Sequence, residues 1–323
     1  MDYYGLFQKY KLDRPLGDEE RKLQLYPKDR LDVAPTCACS TIRLNDTYIE
    51  VVDKFYAAKG FAAIVTLLGI PMLVALALLE GKLFIVDGLF GEAYDHKVVT
   101  YVGGSGFVLG IAVLAFALWV LLKEAFCYTH YPIRFNRKTR MVHVFRFNGT
   151  VMSVPWDTLF FTLGRCNRFF GIQTWDVRAH VLDSDGTTVR ETFSLAMAEA
   201  QHIVPLYWEY VRRYMEEGPQ AVLALTPVYL PISKRRESWR FGLMRLALDG
   251  PWAVVVMIML PLYLPMSLGR RFAMRTSKIP CGRKRSRRSA ALNRTDPYAR
   301  DARNNPKDLW RVLWANRKMA YPE

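Results

Sequence analysis

The sequence lacks the short motifs that announce common chemistries. No HExxH, GxSxG or GxxxxGK[ST] occurs, so nothing signals a helix-borne zinc hydrolase, a nucleophile elbow or a phosphate-cradling loop. Cysteine is sparse: the five residues stand at 37, 39, 127, 166 and 281, an odd number with no CxxC pair. Cys37-Ala-Cys39 is too closely spaced for a zinc knuckle without further ligands nearby. This usage predicts reduced thiols in a cytosolic compartment. The most informative absence is of charge. Gly60–Leu79 and Val98–Leu122 contain no Asp, Glu, Lys or Arg.

Each charge-free stretch is long enough to cross a bilayer, which takes roughly 20 apolar residues in a helix. Soluble helices are seldom apolar all round over such a length. The first stretch starts too far along the chain to be a cleaved signal peptide. With no charged residue inside the spans, there is no ion relay, which argues against a pump or transporter. The link at residues 80–97 carries Lys82 and Lys97 against Glu80, Asp87, Glu92 and Asp95. The outer flanks are richer in cations: Lys54 and Lys59 on one side, Lys123, Arg134, Arg137, Lys138 and Arg140 on the other. Positive residues stay on the cytoplasmic side. The pattern predicts a transmembrane helical hairpin, with both ends cytoplasmic and residues 80–97 outside.

A third apolar stretch, residues 251–268, holds prolines at 251, 261 and 265. A single crossing would carry the basic C-terminal region outward, against the positive-inside rule. WRFGLMRLALDG (239–250) places apolar residues at helical spacing beside Arg240 and Arg245, as an interfacial helix does. An interfacial helix followed by a re-entrant, shallow hairpin is therefore expected here.

Between these apolar regions the pattern alternates. YPIRFN (131–136), RMVHVFRF (140–147), TVMSVPW (150–156), TLFFTL (158–163), TWDVRAHVLD (174–183) and TTVRETFSL (187–195) read as short strands. Asn148-Gly149 and Ser184-Asp185-Gly186 read as hairpin turns. Leu206, Tyr207, Tyr210, Val211 and Tyr214 recur at helical spacing, predicting a helix over 196–216 that ends at Glu216-Glu217-Gly218-Pro219. An antiparallel meander closed by one helix is PH-like (pleckstrin-homology-like) in architecture, and that analogy carries no function by itself. Upstream, Gly17–Leu25 is a helix candidate with Asp18, Glu19 and Glu20 in its first turn. Thr41–Val52 reads as a strand or hairpin about Asn45-Asp46, able to join the later sheet.

The fold class expected is thus an α+β membrane protein. Residues 1–57 form a cytoplasmic N-terminal segment and 58–123 the transmembrane helical hairpin. Residues 124–218 form a cytoplasmic PH-like antiparallel β-meander with its C-terminal helix. Residues 219–272 hold the amphipathic and third membrane-associated segment, and 273–323 a basic C-terminal tail.

No residue is assigned a catalytic, cofactor-binding or metal-binding role. His143 and His180 lie on predicted strands, where histidine is more often structural than catalytic. His130 stands at the membrane exit, where amphipathic rings collect; His96 falls in the outer link and His202 on the helix. Asp157 and Asp176 are separated by strands. Asp183-Ser184-Asp185-Gly186 echoes the start of a calcium loop but lacks the later Glu, so a turn is the better reading. Gly103-Gly104-Ser105-Gly106 lies inside a span, where close helix packing explains it. Arg134, Arg137, Lys138 and Arg140 are the candidates for a basic lipid-headgroup pocket in the sheet.

The net charge of +15 is concentrated. From Gly269 onward sixteen Lys or Arg stand against four Asp or Glu, leaving only +3 for the rest of the chain. No aromatic platform is interleaved with the basic run, which makes nucleic acid a poor partner. Contact with anionic membrane lipids through the basic tail suits a run beside a membrane segment better.

YTHYPIRFNRKTRMVHVFRFNGTVMSVPWDTLFFTLGR (128–165) and HVLDSDGTTVRETFSL (180–195), with YGLFQKYKLDRPL (4–16) and LYPKDRLDVAPTCACSTIRLNDTYIE (25–50), resemble a family of bacterial membrane proteins carrying a domain of unknown function. The resemblance covers most of the chain. It breaks at CGRKRSRRSAALNRT (281–295), where family members continue with a Trp-Pro step and an acidic stretch. It resumes at DPYARDARNNPKDLW (296–310). Such a break reads as a local frame-shifted segment, and it accounts for the isolated basic run. Members are encoded beside type VI secretion effectors. The resemblance therefore implies an inner-membrane immunity protein, not an enzyme, that neutralises a cognate toxin by binding it without turnover or cofactor. Its partners would be that effector and the surrounding lipids. The other implied role is a membrane-anchored adaptor that loads an effector onto the secretion machine.

Overall fold

The computed structural model describes residues 10–90, 96–169, 172–233, 235–248, 253–280 and 296–309. The elements run β1 (Arg14–Pro15), α1 (Asp18–Lys22), β2 (Gln24–Leu25), β3 (Thr41–Leu44), β4 (Tyr48–Val51), α2 (Phe61–Lys82) and α3 (His96–Ala125). Then come β5 (Ile133–Asn136), β6 (Met141–Phe145), β7 (Val151–Pro155), β8 (Leu159–Phe169), β9 (Ile172–Leu182) and β10 (Thr188–Ala198). The chain continues through α4 (Val204–Glu216), α5 (Gln220–Leu223), α6 (Trp239–Leu248) and α7 (Ala253–Thr276). Two compact units emerge: residues 1–57, 128–237 and 279–323 form one, and 58–127 with 238–278 the other.

The first unit is built on two antiparallel five-stranded sheets, ordered β3-β4-β5-β6-β7 and β1-β10-β9-β8-β2. The expected hairpin within 41–52 forms as β3–β4 and joins the later sheet, because Tyr48–Val51 pairs with Ile133–Asn136. The entire helical hairpin is therefore an insertion between two neighbouring strands. Asp53 ties the two ends of that insertion together: its carboxylate accepts from the Phe55 and Tyr131 amides at 3.1 and 2.9 Å. The β6–β7 turn uses Gly149 at φ +81°, a left-handed position that glycine fills without strain.

Strand alternation sends Ile133, Phe135, Val142, Val144, Val154, Phe161, Val177 and Ala179 into one core, closed by α4. Trp156 and Trp208 stack there at 5.6 Å, with Phe161 against both. Helix α4 begins at Val204, later than the expected 196, because β10 continues to Ala198 and Pro205 suits a first helical turn. It ends where Glu217 and Gly218 (φ +100°) donate to the Arg213 carbonyl.

In the second unit, α2 and α3 pack antiparallel on small residues. A side chain at Gly103 would meet the Leu83–Phe84 backbone, one at Gly106 the Glu80 carboxylate, and one at Gly110 Ala77. Gly88 packs the same way on Thr100. Most of the expected outer link is helical. Seven residues of π-helix, Leu83–Leu89, prolong α2 past Glu80 and Lys82, since LFIVDGL is apolar but for Asp87 and Gly88 allows close approach. Two helices, Phe61–Leu89 and Lys97–Ala125, are long and apolar enough to cross a membrane, and only 17 % of the apolar window in each is buried.

The third apolar stretch departs from expectation: Ala253–Thr276 is one continuous helix, with no shallow hairpin. Pro261 and Pro265 lie four residues apart. The N–H that Pro265 lacks would have met the Pro261 carbonyl, so the helix forgoes two bonds without breaking. Its C-terminal half is locked by packing. Gly60 (φ +98°) abuts the Arg270 backbone, and Ala273 joins Ala63, Leu121 and Ala125 in a small core. Residues 239–248 form a helix, α6, with Trp239 Nε1 donating to Ser267 Oγ at 2.9 Å. Cys281 and the proposed frame-shifted segment, 281–295, lie outside the described residues, as do Glu92 and Asp95.

Candidate functional site

The polar face of the second sheet is where sequence expectation and structure part. Asp176, Arg178 and His180 alternate along β9 on one face, flanked by Thr162 of β8 and Thr192 of β10. Such a row normally meets water. Here it is buried: Asp176, His180, Thr162 and Thr192 have no accessible surface and Arg178 only 6 %. The N-terminal strap covers it. β1 pairs with β10, β2 pairs with β8, and α1 lies between them in sequence.

Each side chain of this row has a hydrogen-bond partner. Lys54 Nζ reaches Asp176 Oδ2 at 2.5 Å and the Tyr10 hydroxyl at 3.1 Å, and Tyr10 donates to Asp176 at 3.0 Å. Arg178 Nε donates to Asp176 Oδ1 at 2.9 Å, and its Nη2 donates to the Arg165 carbonyl at 2.6 Å. Gly164 is required opposite, since any Cβ there would overlap the Arg178 guanidinium. Burial alone would raise the Asp176 carboxyl, but Lys54 and Arg178 outweigh it and hold the group below its ordinary range. Burial likewise pushes the Cys166 thiol up, as does Asp176; Cys166 is buried and forms no disulfide.

His180 joins Thr192 Oγ1 (2.7 Å) to Glu20 (3.3 Å). A hydroxyl, an imidazole and a carboxylate in line have the order of a nucleophile, base and orienting acid. Neither Thr192 nor His180 is accessible, so no substrate reaches them, and the line works as a clasp for the strap. Arg14 pairs with Glu20 in two bonds, at 2.7 and 2.5 Å. Burial raises the Glu20 carboxyl, but His180, Arg14 and the Gly17 amide together hold it well below its usual range.

The other candidates are dispersed. His143 pairs with Ser153 (2.8 Å) on the outer face of the first sheet, its pKa lowered by burial and by Arg134. His130 is buried on Thr129, edge-on to Tyr56. His202 lies in a short 3-10 turn before α4, and His96 opens α3. The four basic residues proposed for a headgroup pocket are each paired: Arg134 with Glu50, Arg137 and Lys138 with Asp46, Arg140 with Asp157 and Glu216. Asp183 pairs with Arg190, and Asp185 caps the turn through Thr187 and Thr188. Among the described residues no three His, Cys, Asp or Glu converge as metal ligands.

One cleft opens between the sheets, about 50 Å³ in volume, lined by Lys54, Phe55, Tyr131, Phe145, Arg146 and Phe147 among others. Sequence reading missed it. Lys54 looked like a membrane-flanking cation, and only the fold brings it to the side of Asp176, 122 residues on.

No curated protein and no solved structure matches the chain. The model of a family of unknown function, DUF6708, matches residues 110–285, from within α3 through β5–β10 and α4 to beyond α7. That is more than half of the 323 residues, and the chain belongs to this family.

Proposed function

We propose that this protein is a membrane-anchored, non-catalytic binding protein of the bacterial inner membrane, acting as an immunity protein against a cognate type VI toxin. The α2–α3 hairpin crosses the bilayer twice, and the β unit is a PH-like module on the cytoplasmic side. The observation that carries this reading is the insertion of the helical hairpin between the paired strands β4 and β5. A module joined to an inserted hairpin through two chain connections is tethered to the membrane, as capture of an incoming partner requires. The closed polar clusters support stoichiometric binding over turnover, because their catalytic-type groups are shut from solvent. The secretion context rests on the sequence resemblance alone.

The test is protection. The neighbouring toxin-like gene is expressed in a sensitive host, directed once to the cytoplasm and once to the periplasm, with and without this protein. Rescue in either compartment is the expected result. Unchanged toxicity, with the protein well expressed and membrane-inserted, would reject immunity and transfer the role to effector loading, to be read as secretion from a deletion strain.

A further inference from the structure

Residues 23–36 lie in a groove with two walls. One wall is the outer edge of β8, a strand of eleven residues of which β2 pairs with two, Phe161 and Thr162. The Leu23 carbonyl extends that contact, accepting from the Leu163 amide at 3.1 Å. The other wall is one stripe of α4, formed by Leu206, Glu209 and Arg213. The Leu206 carbonyl accepts from the Thr36 amide at 3.1 Å, and Glu209 Oε2 accepts from the Leu31 amide at 3.3 Å. Arg213 Nη2 donates to the Val33 carbonyl at 3.4 Å. All of these groups belong to the β unit.

These contacts are those of a surface that reads an extended peptide. The three bonds from α4 go to main-chain groups, which any sequence carries, while side-chain pockets supply selectivity. Glu209 is fully buried and is held in place by Arg212 and Arg213, each at 2.7 Å, so its remaining reach toward the Leu31 amide is fixed in advance. Leu25 is buried in the core, and Leu23 and Leu31 pack against it. From 31 to 35 exposure alternates: Leu31, Val33 and Pro35 are half-buried and Asp32 and Ala34 exposed, the period of an extended chain. Tyr26-Pro27-Lys28-Asp29 forms a turn closed by the Asp29 amide on the Tyr26 carbonyl, with Tyr26 52 % exposed. No residue from 26 to 35 belongs to a helix or strand. A stretch without regular backbone pairing comes from the low end of a protein's local stability range.

We propose that β8 and α4 form a peptide-docking groove, which residues 23–36 fill in the resting protein and which an extended segment of a partner protein takes by displacing them. The partner segment has the chemistry of the occupant seen here. It carries Leu-x-Leu antiparallel to β8, a proline turn, and a third leucine six residues after the second. Its backbone is read by Glu209, Arg213 and the Leu206 carbonyl. The chain's own segment competes in cis, so an unmatched peptide does not gain entry. The inference stands on the groove alone and does not draw on the toxin reading.

The experiment uses the full chain in detergent. A fluorescent peptide, KLQLYPKDRLDVAPT, copies residues 22–36, and its binding is followed by anisotropy. It should bind the Leu31→Asp chain, whose own segment is loosened, at least about tenfold more tightly than wild type. A peptide carrying the same Leu31→Asp change should bind either chain about tenfold more weakly. Should the variant chain not fold, Leu31→Ala serves. In the wild-type chain alone, hydrogen exchange over residues 23–36 should run about a hundredfold faster than over β9. Exchange as slow as that of β9 overturns the proposal, because the segment then opens only with the whole unit. So does a peptide that binds neither folded chain, binds wild type and variant alike, or binds regardless of its leucine. A dimer of the wild-type chain that the peptide dissociates would assign the groove to a second copy and overturn the partner reading.

Discussion

The β unit and the helical unit treat side chains in opposite ways. The β unit buries charge: Lys54, Asp176, Arg178, Glu209 and Arg212 are all withdrawn from solvent. The helical unit exposes oil: Leu68, Met72, Leu78, Val108, Leu109 and Met257 each show about two-thirds or more of their surface. Protein in water does neither without compensation. Buried charges need partners, and every one of these has them. Exposed apolar faces need a nonaqueous neighbour, and nothing among the described residues covers these. The comparison teaches that the two units close their surfaces differently: one holds its charges inside on ion pairs, and the other presents apolar faces that the described residues leave open.

The largest test of that contrast is to unbalance the buried cluster. Lys54→Ala strands Asp176 without its shortest partner and should lower stability by about 3–5 kcal/mol. Replacing the three charges together, Lys54→Met, Asp176→Leu and Arg178→Met, should recover most of that loss. Both are read by urea unfolding followed through Trp156 and Trp208 fluorescence. A single variant that unfolds like wild type would mean the cluster is not closed.

Next in size is a charge placed on the apolar face. Leu68, 67 % exposed on α2, becomes arginine. At the centre of a membrane helix this should cost insertion about 2.5–3.5 kcal/mol. The measurement is the fraction of chain that resists carbonate extraction. If that fraction does not fall, the face does not meet lipid.

Acid should separate the units. The folded pKa values of Asp176 and Glu20 are depressed, so the unfolded chain binds protons first as pH drops. Their stabilisation is present above the ordinary carboxylate range, about pH 4. It is lost progressively below that, through the folded values. The β unit should lose near-UV circular dichroism between about pH 4 and 2 while helical content from α2 and α3 persists. Glu20→Gln should flatten the pH dependence of melting in that range.

Surface pairs are the smallest effect. Arg134→Ala, removing the Glu50 pair and the stack on Tyr48, should shift stability by at most about 1 kcal/mol, measured by thermal melting. A larger loss would mark Arg134 as part of the core, not its rim.

Local signals were legible where chemistry and periodicity agree. The Asn148-Gly149 and Asp185-Gly186 turns, the alternation in MVHVF and the tyrosine spacing of α4 each report the chain's immediate geometry. Less legible were the ends set by packing: β10 outlasts its pattern because it pairs with β9, and α7 runs through two prolines because Gly60 and Ala273 lock its far half. The candidate site was least legible. Alternating Asp176, Arg178 and His180 look like a solvated strand face, and no local pattern says that residues 10–25 will lie over them.

By itself the sequence determined which stretches are strands and which are membrane-length helices, because those depend on side-chain periodicity and on runs without charge. Tertiary structure alone decided that the helical hairpin interrupts a paired sheet, that Lys54 is a buried partner of Asp176, and that Arg146 pairs with Glu191. The physical reason is range. Periodicity is written over a few neighbouring residues, whereas an ion pair or a sheet edge depends on which distant segments the fold brings within a few ångströms.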